Sequence, residues 1–309
     1  MQKSDHPEHH AERPERDNRG AADESSWSSD PQEAGAGSPH LDEGQQDQAA
    51  GHSAPHALVL HEIVREEGEA ALSRTIGALA WSSLAAGMSM GFSFLIPAVL
   101  DARLPEALWR PLVSSFGYTV GFVLVIMGRQ QLFTESTLTV VLPVLTRRDA
   151  TTALRASRLW AVVLLFNLVG TWIFAAMLRI PGIFTTDVDN ALCSISVDAI
   201  TSLKPIPTVV HAILAGWLIA LMVWLLPSAR SGRLLTVLLI TYMVGVSHLS
   251  HIIAGSTEAA YAWLAGIASP DDYFFRFLLP TFAGNVIGGT SLVALLNHAA
   301  IAPEMSENR

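Results

Sequence analysis

The sequence predicts an all-α membrane protein with six transmembrane helices, two of them interrupted, arranged as an inverted repeat. Three observations predict this fold class. Half of the 309 residues are hydrophobic and only 15% are charged, whereas a typical soluble domain is about 25% charged. Six apolar segments approach or exceed the ~20 residues that cross a bilayer. Two features, an asparagine–glycine motif and a polar break, also recur in the second half of the chain at the same distance in sequence from their first occurrence.

The N-terminal region differs in composition from the rest of the chain. Residues 1–55 hold twelve of the 28 acidic residues and four of the 19 basic ones, with almost no aliphatic side chains, so we predict a disordered acidic tail. The remainder is nearly neutral, which argues against nucleic-acid binding through a basic face. The single cysteine, Cys193, excludes a disulfide framework. We predict an amphipathic lead-in helix over residues 56–75, the transmembrane domain over residues 76–300, and a cytoplasmic C-terminal tail over residues 301–309.

Two of the six apolar segments are short, and each is followed by a polar break and a further apolar piece. The first break follows Met127, and the chain becomes apolar again at Leu138–Leu145. The second follows Val246, with a further apolar piece at Ala259–Ile267. The six predicted spans are Ile76–Leu100, Leu112–Met127, Leu159–Leu178, Val209–Leu226, Leu234–Val246 and Phe274–Leu296.

The basic residues of the short loops predict the orientation in the membrane. Lys and Arg are enriched in cytoplasmic loops, and the denser set lies in the loops after spans two and four. We therefore predict that these loops and both termini are cytoplasmic. The denser set is Arg147, Arg148, Arg155, Arg158, Arg230 and Arg233.

An internal repeat relates the two halves. Asn167 and Gly170 in span three recur as Asn285 and Gly288 in span six, at an offset of 118. The same offset relates Phe133, in the first break, to His251, in the second. Three spans per half invert the second half relative to the first, and interrupted helices that meet near the bilayer midplane indicate a substrate site.

The first break contains Leu132, Phe133 and Thr134. Backbone that is not helical at membrane depth lines a cavity or is buried in protein. The two bulky apolar side chains suit a narrow constriction, and the hydroxyl suits a hydrogen bond to a small solute. Ordinary packing of Leu and Phe, with Thr as a helix N-cap, explains the same residues equally well.

The second break contains His248 and His251, three residues apart, so one helical turn would place both on the same side. Ionisable side chains inside a membrane are costly and usually functional, and histidine can gain a proton near neutral pH. The spacing also permits a metal pair, although no carboxylate within the turn completes it. Lys204, the only lysine after Lys3, either attracts an anion at the mouth of the path or anchors the chain at the membrane surface.

Over roughly residues 60–300 the chain resembles the formate/nitrite transporter family. The first break resembles its Leu-Phe-Thr loop, His251-Ile252-Ile253-Ala254 its His-x-Ile-Ala motif, Lys204 its vestibule lysine, and residues 284–289 its Gly-Asn-x-x-Gly-Gly motif. The resemblance implies an aquaporin-like fold, a homo-pentamer with one pore per protomer, and a bacterial inner membrane. It also implies passage of small monovalent anions such as formate, nitrite, hydrosulfide or lactate, in several members together with a proton, and no cofactor or metal.

The chain departs from the family pattern at several positions. Gly255 and Ala220 stand where the family has asparagines, and Gln131 stands where an acidic residue usually precedes Leu-Phe-Thr. Arg129 and Glu135 are added charges beside the first break. Two amides of the family's pore are therefore missing, and the resemblance does not identify the anion.

These observations lead to a transport hypothesis. Lys204 attracts a weak-acid anion, Leu132 and Phe133 form the constriction, and Thr134 binds the solute while His251 shares a proton with it; His248 also lies along the path. Three alternatives stay open: a channel for neutral solutes on the same architecture, a membrane-embedded enzyme with a metal bound by His248 and His251, and a sensor that has lost transport.

Overall fold

The computed structural model describes residues 40–42, 44–46, 57–201 and 204–295. The chain divides into two compact units, Met1–Pro55 and His56–Arg309. In the first unit, Asp42 Oδ1 accepts the backbone N–H of Gln45 at 2.8 Å in a short helical turn. Most of the predicted acidic tail, and all of the predicted C-terminal tail, lie outside the described residues.

Every regular element described in the second unit is helical. Among the described residues, four segments are long and apolar enough to cross a membrane, judged by length and composition: Ile76–Arg103, Arg110–Met127, Ala150–Leu178 and Pro205–Leu225. The α-helices are α1 (Ala57–Ser73), α2 (Ile76–Met90), α3 (Phe92–Arg103), α4 (Arg110–Ser114), α5 (Thr119–Met127), α6 (Phe133–Thr139), α7 (Val141–Arg147), α8 (Ala150–Leu178), α9 (Thr186–Thr201), α10 (Pro205–Leu225), α11 (Arg233–Val246), α12 (Ile252–Leu264) and α13 (Leu279–Ile287).

Tighter and wider helical turns complete these elements. A 3₁₀ turn, Ser115–Tyr118, joins α4 to α5, and another, Arg230–Gly232, precedes α11. The last span is wound as a π-helix on both sides of α13, over Asp272–Leu278 and Gly288–Leu295. The last span therefore departs twice from regular α-helical geometry.

Both breaks end earlier than the apolar pattern predicts. Helix α6 begins at Phe133 and not near Leu138, and α12 begins at Ile252 and not near Ala259. The polar residues at the start of α6 are helical because their hydroxyls bond within the helix. Ser136 Oγ donates to the Phe133 carbonyl and Thr137 Oγ1 to the Thr134 carbonyl, each at 2.7 Å.

Glycines let two pairs of spans pack closely. In α2 and α8, a Cβ on Gly170 would lie 2.5 Å from the Leu84 carbonyl oxygen. In α10 and α13, a Cβ on Gly216 would lie 2.5 Å from the Asn285 carbonyl oxygen. Small residues permit such backbone approach between membrane helices. Close glycine contacts therefore bring α8, which carries Asn167, against α2, and bring α13, which carries Asn285, against α10.

The two breaks lie in the interior of the bundle. Leu132 and Phe133 of the first break are fully buried, as are Ile252 and Ile253 at the start of α12. All four belong to one hydrophobic cluster with residues of α2, α5, α8 and α10. The interrupted backbone is thus enclosed by protein, as non-helical backbone at membrane depth requires.

Candidate solute pathway

The two breaks have the same backbone geometry. Each contains one residue in the left-handed region, Arg129 at φ +49° and His248 at φ +48°. In each break, the backbone N–H of the next residue donates to the carbonyl five residues earlier at 3.0 Å. The two bonds run from Gln130 to Val125 and from Leu249 to Val244. These pairs are related by an offset of 119.

The offset of 118 predicted from the sequence is therefore wrong for the breaks, although it holds for Asn167 and Asn285. The residue equivalent to His251 is Leu132, since each is the N-cap of the helix that follows. The asparagine lies 34 residues after Phe133 but 33 after Ile252. This one-residue difference explains why a single offset cannot fit both features.

Each break is held by one buried asparagine. Asn167 Oδ1 accepts the N–H of Phe133 at 2.9 Å, and Asn167 Nδ2 donates to the carbonyls of Ser83 and Gln131 at 2.7 and 3.0 Å. The amide thus satisfies one free donor at the start of α6 and two carbonyls beside it.

Asn285 does the same in the other half. Its Oδ1 accepts the N–H of Ile252 at 2.8 Å, and its Nδ2 donates to the carbonyls of Ala212 and Ser250 at 2.8 and 3.0 Å. Free backbone groups at a helix end must find partners when water is excluded. The two asparagines supply those partners and fix the two breaks against the neighbouring spans.

His251 is the N-cap of α12, and its hydrogen bonds define its neutral tautomer. The backbone N–H of Ala254 donates to His251 Nδ1 at 3.2 Å, so Nδ1 of the neutral ring carries no proton. The proton of the neutral ring is therefore on Nε2. His251 Nε2 lies 2.8 Å from Thr134 Oγ1, and in this tautomer it donates to that oxygen.

The His251–Thr134 pair joins the two halves of the molecule at the junction of the breaks. Both side chains are buried, and the Phe122 ring packs edge-on against the imidazole with centroids 5.0 Å apart. Because Thr134 Oγ1 accepts from His251, its own hydroxyl hydrogen is available to a further acceptor. The pair can therefore present one donor to a solute with no charge on the protein.

A cavity of about 660 Å³ extends from His251 to one end of the bundle. Its inner end contains His251, and its outer end contains Asp101, at the end of the first span, and Arg110, at the start of the second. His248 lines it as well, together with His211 and Glu258. We call this space the vestibule.

The structure places Leu132, Phe133 and Thr134 beyond the inner end of the vestibule. All three are fully buried, and in the described part of the chain they do not line the cavity. The Phe133 ring stacks on Phe282 and meets Trp160 edge-on, with centroids 5.6 and 5.8 Å apart. In this conformation the vestibule therefore ends at His251.

His248 does not lie as the sequence predicts, whereas Lys204 precedes the fourth span as predicted. His248 is in the break and not on a helical turn with His251, because its left-handed backbone precedes the start of α12. Both histidines nevertheless line the vestibule. Lys204 is exposed at the start of α10 and is not a lining residue, although Asp198 before it and His211 after it are.

Most of the charged groups of the vestibule were not predicted from the sequence. Asp101 and Arg110 form a two-contact ion pair, with Arg110 Nε 2.8 Å from Oδ1 and Nη2 2.9 Å from Oδ2. Glu258 follows His251 by seven residues, a spacing that places both on one helix face. That spacing, within an otherwise apolar stretch, is the signal that could have identified Glu258.

A helical bundle whose two interrupted helices meet at a buried His–Thr pair below a vestibule defines a membrane channel or transporter for small solutes. Residues 58–299 match the Formate/nitrite transporter family, and the chain belongs to that family. The fold class and the family predicted from the sequence are thus confirmed, and the family consists of transporters and not enzymes.

Individual relatives agree with this assignment. The chain is 40% identical over 253 residues to the inner membrane protein YfdC of Escherichia coli K12, covering 82% of this chain and 81% of that one. It is 25% identical over 241 residues to the formate channel FocB of the same organism, covering 69% and 82%. Among solved structures, a pentameric formate channel with formate bound superimposes with a TM-score of 0.63 at 19% identity, over 74% of this chain and 98% of that one.

Proposed function

We propose that the protein moves small monovalent anions of weak acids across the membrane, with the His251–Thr134 pair as the central polar site of the path. The observation that carries the proposal is the 2.8 Å contact between His251 Nε2 and Thr134 Oγ1, at the inner end of the vestibule. Relatives named formate channels support the anion class.

The chemistry of the pair suits a solute that exchanges a proton. The neutral ring donates to Thr134, so the threonine hydroxyl is free to donate to an oxygen or sulfur atom of the solute. A second proton on His251 must go to Nδ1, where it displaces the N–H of Ala254. Protonation therefore breaks the hydrogen bond by which His251 caps α12, and an anion beside the ring offsets the free energy lost with that bond. This is the proton coupling that we propose.

Leu132 and Phe133 form the proposed constriction next to this site. Their burial leaves no polar surface to solvate a bare charge, which is heavily penalised in such surroundings. The solute crosses them in a nearly neutral form, because it carries a proton there. Movement of the Phe133 ring away from Phe282 is the step that opens the path.

We assign Lys204 and His248 to the approach to the site. Lys204 lies between two lining residues in the chain and raises the anion concentration near the entrance. His248 lies on the vestibule wall before His251. Both act on the solute before it reaches the constriction.

The arginines of the two membrane faces support the proposed orientation. The loops next to α7 and α11 hold the denser set, including Arg147 and Arg233, and basic loops stay in the cytoplasm. We therefore place the vestibule on the outer side of a bacterial inner membrane and both termini in the cytoplasm. By analogy with the pentameric channel that the fold matches, we propose a homo-pentamer.

A flux panel in proteoliposomes tests the proposed function. We expect formate, nitrite, hydrosulfide or lactate flux that rises as the pH falls, and no comparable glycerol or water flux. Thr134→Val removes the acceptor of the His251 Nε2–H and should lower that flux about tenfold or more, because a lost hydrogen bond in a water-excluded site costs on the order of 1–3 kcal/mol.

The matched control is Ile253→Val, at the position equivalent to Thr134 in the second half. This variant should keep at least half of the wild-type flux. Glycerol flux without anion flux would replace the proposal with a neutral-solute channel. Equal flux in the Thr134 variant and the control would remove the pair from the path.

A further inference from the structure

Glu258 is the one acidic side chain of α12, and it lies on the helix face that carries His251. The two residues are seven positions apart, which is two turns or about 10 Å along the helix. Both line the vestibule. In the described part of the chain no ion pair or side-chain hydrogen bond engages the Glu258 carboxylate.

The residue between them on the same face is Gly255, which also lines the vestibule. A Cβ at this position would lie 2.8 Å from the Phe277 ring, so the ring packs where a side chain would otherwise extend. The apolar Phe277 ring therefore fills the position between His251 and Glu258, and Glu258 is the next polar group outward along the helix.

The charges of the vestibule do not favour a bare anion. Asp101 is neutralised by Arg110 at 2.8 Å, whereas the Glu258 carboxylate adds a further negative charge when it is ionised. Lys204 is not a lining residue. Carboxylates that face an anion in a partly dehydrated space repel it. The titratable and charged groups that share this space with Glu258 are Asp101, Arg110, Tyr118, Asp198, His211, His248 and His251.

We propose that Glu258 is the specificity-determining residue of the vestibule and selects weak acids that enter the path carrying a proton. The protonated carboxyl of Glu258 gives its proton to the anion A⁻, which yields HA and the carboxylate. A hydronium ion from the outer solution then reprotonates Glu258 and becomes water, while HA moves inward and shares its proton with His251. Anions of strong acids cannot take up that proton and meet the negative charge unchanged. This inference rests on the proposed function.

The test compares formate with nitrate in proteoliposomes between about pH 5 and pH 8. Nitrate is the anion of a strong acid and stays charged throughout. The wild-type protein should carry formate at least about tenfold faster than nitrate. Glu258→Gln removes the proton donor and the negative charge, so formate flux should lose its rise at low pH while nitrate flux increases, and the preference should fall by about tenfold.

Two further variants make the result interpretable. Glu258→Asp keeps the carboxyl and should retain the pH profile and the preference, which a purely structural role would not require. Glu106→Gln makes the same chemical change on an exposed residue in the loop between α3 and α4, which is not a lining residue, and should match the wild type. Monodisperse elution of each variant in detergent shows that it is folded.

The outcomes separate the two proposals. If the wild-type protein carries formate but Glu258→Gln keeps both its pH profile and its preference, the role of Glu258 is overturned and the proposed function stands. Equal wild-type flux of nitrate and formate also overturns it. If the wild-type protein carries no small anion at either pH, the proposed function itself fails.

Discussion

The two breaks share one backbone but carry different side chains. Arg129 and His248 have the same left-handed backbone, and Asn167 and Asn285 make matching sets of three hydrogen bonds. At the N-cap, however, the first break has Leu132 and the second has His251. The repeat therefore supplies the scaffold twice and the central histidine once.

The difference at the N-cap changes what each half contributes. His251 Nδ1 accepts the N–H of Ala254, whereas Leu132 makes no side-chain cap for the equivalent N–H of Glu135. The first half contributes Thr134 instead, which is the partner of His251 Nε2. The polar pair at the centre thus exists only because the two halves differ.

The largest expected effect tests the shared scaffold. Asn167→Ala and Asn285→Ala each remove the partners of one buried N–H and of one break carbonyl, that of Gln131 or Ser250. Each such group costs about 1–3 kcal/mol. We therefore expect both variants to lower the free energy of unfolding by about 3 kcal/mol or more and by similar amounts. Thermal unfolding of the purified protein in detergent measures this.

Asn190→Ala, on the exposed side of α9, is the control and should leave the unfolding midpoint unchanged. Asn285→Asp sharpens the test, because it keeps the acceptor for Ile252 but places a carboxylate against the carbonyls of Ala212 and Ser250. Loss of stability in only one of the two alanine variants would show that the breaks are not equivalent.

A second, smaller effect tests the difference at the N-cap. His251→Leu makes the second break chemically like the first and removes the cap of α12, so it should destabilise the protein by about 1 kcal/mol. His251→Asn keeps a capping acceptor but cannot titrate, so it should restore most of that stability. Both variants should lose the pH dependence of formate flux in proteoliposomes.

The two variants together separate capping from proton exchange. A pH dependence retained in His251→Asn would show that the ring does not exchange a proton with the solute. Leu132→Asn is the matched change in the first half. It adds a cap to α6 and should leave the pH dependence of the flux as in the wild type.

The fold class and the interrupted spans could be predicted from the sequence, because they depend on the hydrophobicity of each segment and on the polar stretches that interrupt two of them. The apolar runs fixed the number of spans, and the polar stretches after Met127 and Val246 indicated the breaks. The return of apolar residues at Leu138 and Ala259 does not mark the helix starts. Hydroxyls such as that of Thr137 bond to their own helix and make a polar stretch compatible with membrane depth.

The site was only partly predictable for a different reason. His251 and Thr134 were identified as single residues, but their contact joins positions 117 residues apart, and no local pattern encodes it. The vestibule is built in the same way, since Asp101, Asp198 and Glu258 come from three different helices. Spacing along one helix could have associated only Glu258 with His251.

The smallest expected effect compares the two helices that precede the paired spans. Helices α1 and α9 begin at Ala57 and Thr186, which are 129 residues apart. The same offset of 129 relates Gly87 to Gly216. The equivalent of His61 on α1 is Asn190 on α9, which is exposed. His61 is instead fully buried, with its ring 6.4 Å from that of Trp224 and Nδ1 3.3 Å from Glu62.

Burial lowers the pKa of His61 below its ordinary value of 6.5, although Glu62 opposes the shift. The folded state therefore binds fewer protons than the unfolded state as the pH falls below 6.5, and stability is lost in that direction. We expect the midpoint temperature of thermal unfolding to decrease when the pH is lowered from about 7.5 to about 5.5. The decrease should be smaller in His61→Gln. Hydrogen bonds from Thr152 hold the pKa of Asp149 below its usual value, so that group titrates below this window.

An unchanged dependence of the unfolding midpoint on pH in His61→Gln would place the acid sensitivity elsewhere. The control Asn190→Gln on α9 should reproduce the wild-type dependence, because that position is exposed and does not titrate.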